Sequence, residues 1–273
     1  MESRRKSAWK DIPTGKDEAM SDTLFSLKGK TALITGAATG LGQAIAIALA
    51  KQGADTAISD KPEVSLDETE GKLKPFGGKI MKVGIDVRHL NQINNGVGKT
   101  LAQFGRIDIL VNNAGINRPC PGLEVTESEW DDHYDVNIKG GFFMAQTVAP
   151  SMISNKWGRV VFISSQSGLV GIPGQPIYCS TKGAIIQLAR TLGLEWAKHG
   201  VTVNCVAPTF VETDLTRKRL RNPDFLKFVL GKIPVGRLAM SEEIGASVAY
   251  LASEEAAMVN CETLSVDGGW TAW

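Results

Sequence analysis

Short runs of β-branched and apolar residues alternate with longer amphipathic stretches from Lys30 onward, and this alternation limits the possible folds more than any other feature. Repeated strand and helix units of this kind form a parallel sheet with helices on both faces. The candidate strands are residues 31–35, 56–59, 80–83, 107–112, 159–164, 201–207 and 263–266, and the clearest candidate helices are 41–52, 89–104, 127–153, 176–199 and 241–252. We therefore predict an α/β, doubly wound fold with a mostly seven-stranded parallel sheet.

Residues 24–273 are predicted to form one domain, because no change of composition interrupts the strand and helix pattern. The chain has 273 residues, 43% of them hydrophobic, which is enough for one large core. The polar stretch of residues 1–23 is expected to be a disordered arm, and we assign it no function. Residues 209–235 are rich in charge, contain three phenylalanines and lie between two strands, so we predict a substrate loop there.

The composition restricts the classes of partner. A formal net charge of +1 with three histidines gives no overall attraction to nucleic acid or anionic lipid. The four cysteines are isolated and lack the spacing of a metal site. No apolar run is long enough to cross a bilayer, and the first residues have no apolar signal core. We expect a cytoplasmic protein without a metal, whose partners are small molecules or copies of itself.

A glycine-rich turn follows the first predicted strand. Gly36, Gly40 and Gly42 have the spacing GxxxGxG and lead into the apolar helix at 41–52. Backbone N–H groups and the positive end of a helix dipole at such a turn bind pyrophosphate, and glycines let the backbone approach it closely. A turn of this kind can also join a strand to a helix without binding anything. Its place between a strand and a helix favours a dinucleotide site.

The second predicted strand ends close to Asp60, where a carboxylate meets the adenosine ribose in dinucleotide sites. A carboxylate there repels the 2′-phosphate of NADP, which favours NAD over NADP. Lys61 follows directly, and its positive charge partly offsets the repulsion. The sequence therefore predicts NAD as the cofactor.

Tyr178 and Lys182 lie four positions apart in a predicted helix whose first turn contains Pro176. Residues at i and i+4 share a helix face, so the phenol and the ammonium can reach the same place. A unit charge about 4 Å away is worth about 4 kcal/mol at an effective dielectric of about 20, which lowers the phenol pKa from about 10 by roughly three at most. The pair can then act as a general acid/base. Without other motifs, this spacing is common and usually carries no function.

Taken together with other motifs, this pair makes the sequence similar to the single-domain branch of the short-chain dehydrogenase/reductase family. The similarity covers nearly the whole chain, from Leu27 to Trp273. The matching motifs, in family order, are TGAATGLG at 35–42, Asp86 with Val87, NNAG at 112–115, Asn137, ISS at 163–165, YCSTK at 178–182 and VDGG at 266–269. The resemblance implies a Rossmann-type fold. It also implies hydride transfer between C4 of a nicotinamide and the carbon of a secondary alcohol or ketone.

The resemblance implies the catalytic roles as well. Tyr178 would be the general acid/base, and Lys182 would lower its pKa while bonding the nicotinamide ribose. Ser165 would hold the substrate oxygen, and Asn137 would help position a water that links Lys182 to solvent. Judged from the residues alone, Ser165 equally suits a cap for the turn after its strand, and Asn137 suits a structural amide.

Several loops would contribute to the cofactor site. Asp86 and Val87 would flank the adenine ring, and Asn113 would be the cofactor-facing residue of NNAG. Thr209 follows Pro208 where the family usually has glycine, which makes the backbone there less permissive. The expected cofactor-binding residues are Gly36, Thr39, Gly40, Leu41, Gly42, Asp60, Asp86, Val87, Asn113, Ala114, Gly115, Tyr178, Lys182, Pro208 and Thr213.

The segment from Gly115 to Arg118 and the helix through Trp130 and Phe142 resemble the sugar, polyol and sugar-acid branch, which includes gluconate-type dehydrogenases. Arg118 would attract a substrate carboxylate, and Ser165 and Gln175 would be further substrate contacts. The basic run at 217–221 is more easily explained as the solvated face of a helix.

Two alternatives stay open. A 3-oxoacyl thioester reductase using NADPH shares the catalytic motifs, but Thr39 and Asp60 argue against it. A non-catalytic NAD-binding sensor or scaffold has no use for the acid/base pair. By analogy with the family we expect a homotetramer or a homodimer, with the apolar helices at 136–153 and 185–196 as interface faces.

Overall fold

The computed structural model describes residues 23–272, except the side chains of Asp214 and Leu215, so the predicted N-terminal arm lies almost entirely outside the described residues. The strands are β1 Thr31–Thr35, β2 Asp55–Asp60, β3 Ile80–Gly84, β4 Ile109–Asn112, β5 Gly158–Ile163, β6 Val201–Pro208 and β7 Thr263–Val266. The helices are α1 Gly40–Lys51, α2 Asp67–Leu73, α3 Leu90–Phe104, α4 Glu127–Tyr134, α5 Gly141–Ser154, α6 Pro176–Trp196, α7 Asp214–Leu220, α8 Pro223–Lys232 and α9 Ser241–Leu251.

The seven strands form one sheet in the order β3-β2-β1-β4-β5-β6-β7, with every described pairing parallel. The sheet confirms the predicted α/β, Rossmann-type fold. β1 pairs on one side with β2, Ala32 opposite Thr56, and on the other with β4, Ala32 opposite Ile109. The chain thus reverses its direction of winding between β1 and β4. In open parallel sheets, ligands bind at the carboxyl ends of the strands beside this point.

Both faces of the sheet are covered by helices. Alternate side chains of β1 point to opposite faces, so Ile34 packs with α1 and α9, while Leu33 packs with α3, α5 and α6. The central strands are therefore buried on both sides, which explains their nearly continuous apolar sequences. Among the described residues, every helix is too short or too polar to cross a bilayer.

The structure adds detail to two predicted elements. The predicted helix at 127–153 is continuous and contains a π-helical segment, Asp135–Gly140, between α4 and α5. A Cβ on Gly140 would lie 2.7 Å from the Cβ of Val87, so the glycine lets this segment pack directly on the loop after β3. The predicted substrate loop at 209–235 contains two helices, α7 and α8, whose apolar residues pack with Ile172 and Trp270 in a third cluster.

Candidate active site

A cleft of about 340 Å³ opens at the carboxyl ends of the strands, at the point where the winding reverses. Sixteen of the predicted site residues line it: Gly36, Thr39, Gly40, Leu41, Asp60, Asp86, Val87, Asn113, Ala114, Gly115, Arg118, Ser165, Tyr178, Lys182, Pro208 and Thr213. Gly42, Asn137 and Gln175 do not line it. The fold thus gathers residues that are up to 177 positions apart into one site.

The glycine turn forms one end of the cleft and has the shape of an anion cradle. Thr39 precedes α1 without a side-chain cap, and the first turn of α1 has no acidic residue. Gly36 and Gly40 both have positive φ, at 63° and 57°, which favours glycine. A Cβ on Gly42 would lie 2.1 Å from the carbonyl oxygen of Gly36, so no larger residue fits there. These features suit the pyrophosphate of a nicotinamide dinucleotide.

Asn113 holds this turn in place. Its Nδ2 donates to the carbonyl oxygens of Thr35 and Gly36, both at 2.9 Å, and its backbone N–H donates to Thr35 Oγ1 at 3.1 Å. Asn113 lines the cleft, as expected, but its amide is used to tie β4 to the turn. Across the cleft, Thr213 lies 3.5 Å from where a Cβ on Gly40 would stand, so the start of α7 faces the turn.

Asp60 stands at the end of β2 beside the turn. Its carboxylate accepts hydrogen bonds from the backbone N–H groups of Ala38, at 3.2 Å, and Lys61, at 2.9 Å. Both Asp60 and Lys61 line the cleft, so the negative charge that disfavours NADP and the positive charge that offsets it are both present there.

The carboxylate of Asp86 is engaged by a residue that the sequence did not single out. Arg88 Nε lies 3.0 and 3.1 Å from the two carboxylate oxygens, and this bond holds the pKa of Asp86 below its usual value. Arg88 also lines the cleft. The predicted adenine subsite at Asp86 and Val87 therefore includes a guanidinium plane.

Tyr178 and Lys182 project from the start of α6 into the cleft, as their spacing predicts. Lys182 Nζ lies 5.5 Å from the centre of the Tyr178 ring and donates a 2.7 Å hydrogen bond to the carbonyl oxygen of Ile163 at the end of β5. That bond fixes the ammonium against the sheet. Lys182 is buried there, with only 5% of its surface exposed.

The electrostatics of the pair differ from the expectation. Burial raises the pKa of Tyr178 to about 12, and a hydrogen bond with Ser165 opposes this rise only in part. Burial also lowers the pKa of Lys182 to about 8. In the protein without ligands, the phenol pKa therefore shifts in the direction opposite to the predicted one, because burial removes the water around the phenol.

Ser165 is held by its neighbours. Its Oγ donates to Gln166 Oε1 at 2.7 Å and accepts from the backbone N–H of Ser167 at 3.1 Å. The capping role and the catalytic position of Ser165 thus coexist. Because a hydroxyl has one proton, Ser165 can donate to a substrate oxygen only after releasing Gln166. Sequence reasoning missed Gln166, which is 2% exposed.

Asn137 lies in the π-helical segment and holds the loop after β4. Its Oδ1 accepts the backbone N–H of Ile116 at 2.8 Å, and its Nδ2 donates to the Ile116 carbonyl at 3.0 Å and to Thr181 Oγ1 at 3.1 Å. Its amide is thus fully engaged by protein, as the structural interpretation of this residue predicts. Asn137 and Lys182 both lie next to Gly115: a Cβ on Gly115 would be 3.3 Å from Asn137 Oδ1 and 3.6 Å from Lys182 Nζ.

Two predicted substrate contacts are engaged elsewhere. Arg118 Nη1 donates to Asp132 at 2.8 Å and to Glu129 at 3.3 Å, so two carboxylates surround its one positive charge. Gln175 is 2% exposed, and its Oε1 accepts from Asn117 Nδ2 at 2.8 Å. Neither arrangement supports a carboxylate site at Arg118 or a direct contact at Gln175.

Comparisons with known proteins agree with this site. A family model described as enoyl-(acyl carrier protein) reductase matches residues 36–271. The 2-dehydro-3-deoxy-D-gluconate 5-dehydrogenase of Dickeya dadantii is 39% identical over 91% of this chain and 98% of its own. The 3-oxoacyl-(acyl-carrier-protein) reductase FabG of Thermotoga maritima is 37% identical over 89% and 98%.

A solved structure matches closely as well. A gluconate 5-dehydrogenase from Burkholderia cenocepacia J2315, in complex with NADP and tartrate, superposes with a TM-score of 0.88 at 34% identity, covering 91% of this chain and 98% of that one. The chain therefore belongs to the short-chain dehydrogenase/reductase family and is an oxidoreductase that acts on CH–OH groups with a nicotinamide cofactor.

Proposed function

We propose that the protein interconverts a secondary alcohol of a sugar, polyol or sugar acid with its ketone, and that it uses NAD. The observation that carries the reaction type is the convergence of Ser165, Tyr178 and Lys182 on the cleft that begins at the glycine turn. The names of relatives support the substrate class, because the Dickeya protein and the Burkholderia structure are both named for gluconate-type substrates.

In the proposed reaction, the cofactor transfers the hydride and the residues of the cleft handle the proton and the substrate oxygen. The nicotinamide supplies the hydride acceptor or donor at its C4. Tyr178 takes the hydroxyl proton during oxidation and returns it during reduction, while Ser165 holds the same oxygen. Lys182 keeps a positive charge beside the phenol, anchored to Ile163, and Asn137 positions the loop that borders the reacting carbon.

An initial-rate screen tests the function. Purified protein is assayed with NAD and with NADP on neutral polyols, aldonates and, in the reductive direction, 3-oxoacyl thioesters. Oxidation of polyols or aldonates with NAD supports the proposal. A preference for 3-oxoacyl thioesters with NADPH would replace it by the reductase activity for which the Thermotoga relative is named. Cofactor binding without turnover of any compound would favour the alternative of a non-catalytic NAD-binding sensor or scaffold.

The preference for NAD rests on Asp60. Its carboxylate is fixed by two backbone N–H groups beside the turn, where it opposes a second negative group. Two observations favour NADP instead: Lys61 also lines the cleft, and the Burkholderia structure holds NADP. We expect Asp60→Ser to raise kcat/KM for NADP by about tenfold or more and to lower it for NAD, because removing one unit charge relieves a repulsion of about 1–4 kcal/mol.

Steady-state kinetics with both cofactors measure this change. Glu63→Gln is the matched control, since it removes one negative charge three residues away on an exposed side chain that does not line the cleft. The control should leave the NADP to NAD ratio unchanged. If Asp60→Ser left that ratio unchanged as well, the assignment of Asp60 would fail.

We also propose that the protein is a homo-oligomer. Leu194 on α6 is 74% exposed in one of the two helical regions expected to form interfaces, and Trp130 on α4, just before the other region, is 44% exposed. Large apolar side chains at these positions favour burial against a second copy. Sedimentation equilibrium at micromolar concentration should give the mass of a dimer or tetramer, and a monomer would contradict the proposal.

A further inference from the structure

The segment after β4, residues 115–120 and called here the wall segment, borders the substrate end of the cleft. Ile116 and Arg118 line the cleft, and Gly115 lies beside Lys182. Farther along, the backbone N–H of Cys120 donates to the Gly174 carbonyl at 2.9 Å, just before the helix that bears Tyr178. The position of the wall segment therefore decides the width of the space next to the acid/base.

Side chains from α4 and the π-helical segment hold the wall segment at alternate residues. Asn137 engages both backbone groups of Ile116, and His133 Nε2 accepts the backbone N–H of Arg118 at 3.1 Å. His133 and Asn137 are four positions apart, so they face the same side. Between the two clamped residues, Asn117 points to Gln175. His133 is thus the outer of two clamps.

The partners of His133 define its protonation. Its Nδ1 lies 2.7 Å from the carbonyl oxygen of Glu129, which can only accept, so Nδ1 carries a proton. Its Nε2 faces the N–H of Arg118, which can only donate, so Nε2 must be free of hydrogen. We assign the neutral Nδ1–H tautomer on this ground. The ring is 0% exposed, so water cannot substitute for either partner.

We propose that His133 is a positioning residue for the substrate: its neutral imidazole accepts the N–H of Arg118 and thereby holds the wall segment beside the acid/base. The proposal rests on the dehydrogenase function proposed above. Loss of this acceptor should weaken substrate binding and leave cofactor binding unchanged, because the glycine turn and Asp60 are held by other contacts.

Two variants separate positioning from mere packing. Gln at position 133 offers an oxygen near the place of Nε2 and does not titrate, whereas Leu has a similar volume and no acceptor. At about pH 8, His133→Leu should raise KM for the alcohol about tenfold, the effect expected when a buried N–H loses its acceptor, with kcat and the Kd for NAD nearly unchanged. His133→Gln should keep a KM close to that of the wild type.

The tautomer of the ring gives the second readout. NMR of histidine-labelled wild type at about pH 8 should show the Nδ1–H form at His133, assigned by the loss of its signals in His133→Gln. His199→Gln is the matched control, since His199 does not line the cleft, and it should keep those signals.

Each other outcome overturns the inference. A proton on Nε2 in the wild type at about pH 8 contradicts it even if neither variant folds. The same holds if His133→Gln raises KM as much as His133→Leu does, or if His133→Leu lowers only the melting temperature. A wild type without activity in the substrate screen would instead refute the proposed function, so the two failures can be told apart.

Discussion

Replacing Tyr178 by phenylalanine is expected to lower kcat by about a thousandfold, the usual range for the loss of a general acid/base. The Kd for NAD should change less than about twofold, because the phenylalanine ring keeps the shape of the cleft wall and the hydroxyl is used on the substrate. The phenol lies between Ser165 and Lys182, where we propose that it carries the proton. Stopped-flow or steady-state rates and NAD fluorescence titration measure the two quantities.

Tyr134→Phe is the matched control. The Tyr134 hydroxyl bonds to Ser180 Oγ at 3.2 Å, also on α6, so the same oxygen is removed from a nearby tyrosine outside the cleft. That variant should keep most of the wild-type turnover. Wild-type turnover in Tyr178→Phe would refute the acid/base assignment, and a large loss of NAD affinity would assign the tyrosine to cofactor binding.

The pH profile of the wild type follows from the same pair. Since phenolate is the base for alcohol oxidation and burial raises the pKa of Tyr178 to about 12, oxidation should speed up as the pH rises from 6 to about 8. Above about pH 8 the free protein begins to lose the charge on Lys182, and the gain should flatten. Tyr178→Phe should lose this dependence along with its activity.

Gly42→Ala is expected to abolish cofactor binding, with an increase in Kd for NAD of more than about a hundredfold and a loss of roughly 3 kcal/mol in the free energy of unfolding. The added methyl would lie 2.1 Å from the Gly36 carbonyl oxygen and 2.6 Å from Asn113 Nδ2. Neither atom can move freely, because Asn113 ties this carbonyl to β4. The turn must therefore open or shift. Thermal denaturation and NAD titration measure the two effects.

Gly98→Ala makes the same chemical change where it does no harm. Gly98 is exposed in α3, and a Cβ there has nothing within 4 Å. Alanine should raise the free energy of unfolding by about 0.5–1 kcal/mol, because it has the higher helix propensity and the lower entropy in the unfolded chain. If Gly42→Ala bound NAD as well as Gly98→Ala, the close packing of the turn would not matter for the cofactor.

The π-helical segment inside the predicted helix at 127–153 shows why part of the site could not be predicted. The apolar pattern at 127–153 is continuous, so sequence reasoning expected one helix. A π-helical segment bonds residue i to residue i+5 over about one turn, and no residue type marks its position. Its position became visible only with Gly140 packed against Val87, a contact between residues far apart in the chain. Asn137 lies within that segment, and its bonds to Ile116 depend on it.

Charge partners were the second feature hidden from the sequence. Arg118 looked like a cation available to a substrate carboxylate, but Asp132 and Glu129 come from the next helix and already engage it. A spacing of 14 and 11 residues carries no rule about which side chains meet. The sequence analysis did not single out His133, and only the structure shows that His133 and Asn137 hold the same loop.

The sequence by itself determined the fold class, the glycine turn, the place of Asp60 and the shared face of Tyr178 and Lys182, because strand and helix periodicity and i, i+4 spacing are local properties of the chain. The tertiary structure alone decided which of these groups is free to act. It buried the phenol and raised its pKa, paired Arg118, and assigned Asn137 and His133 to the wall segment. Burial and pairing depend on neighbours brought together from distant positions, and local patterns hold no record of them.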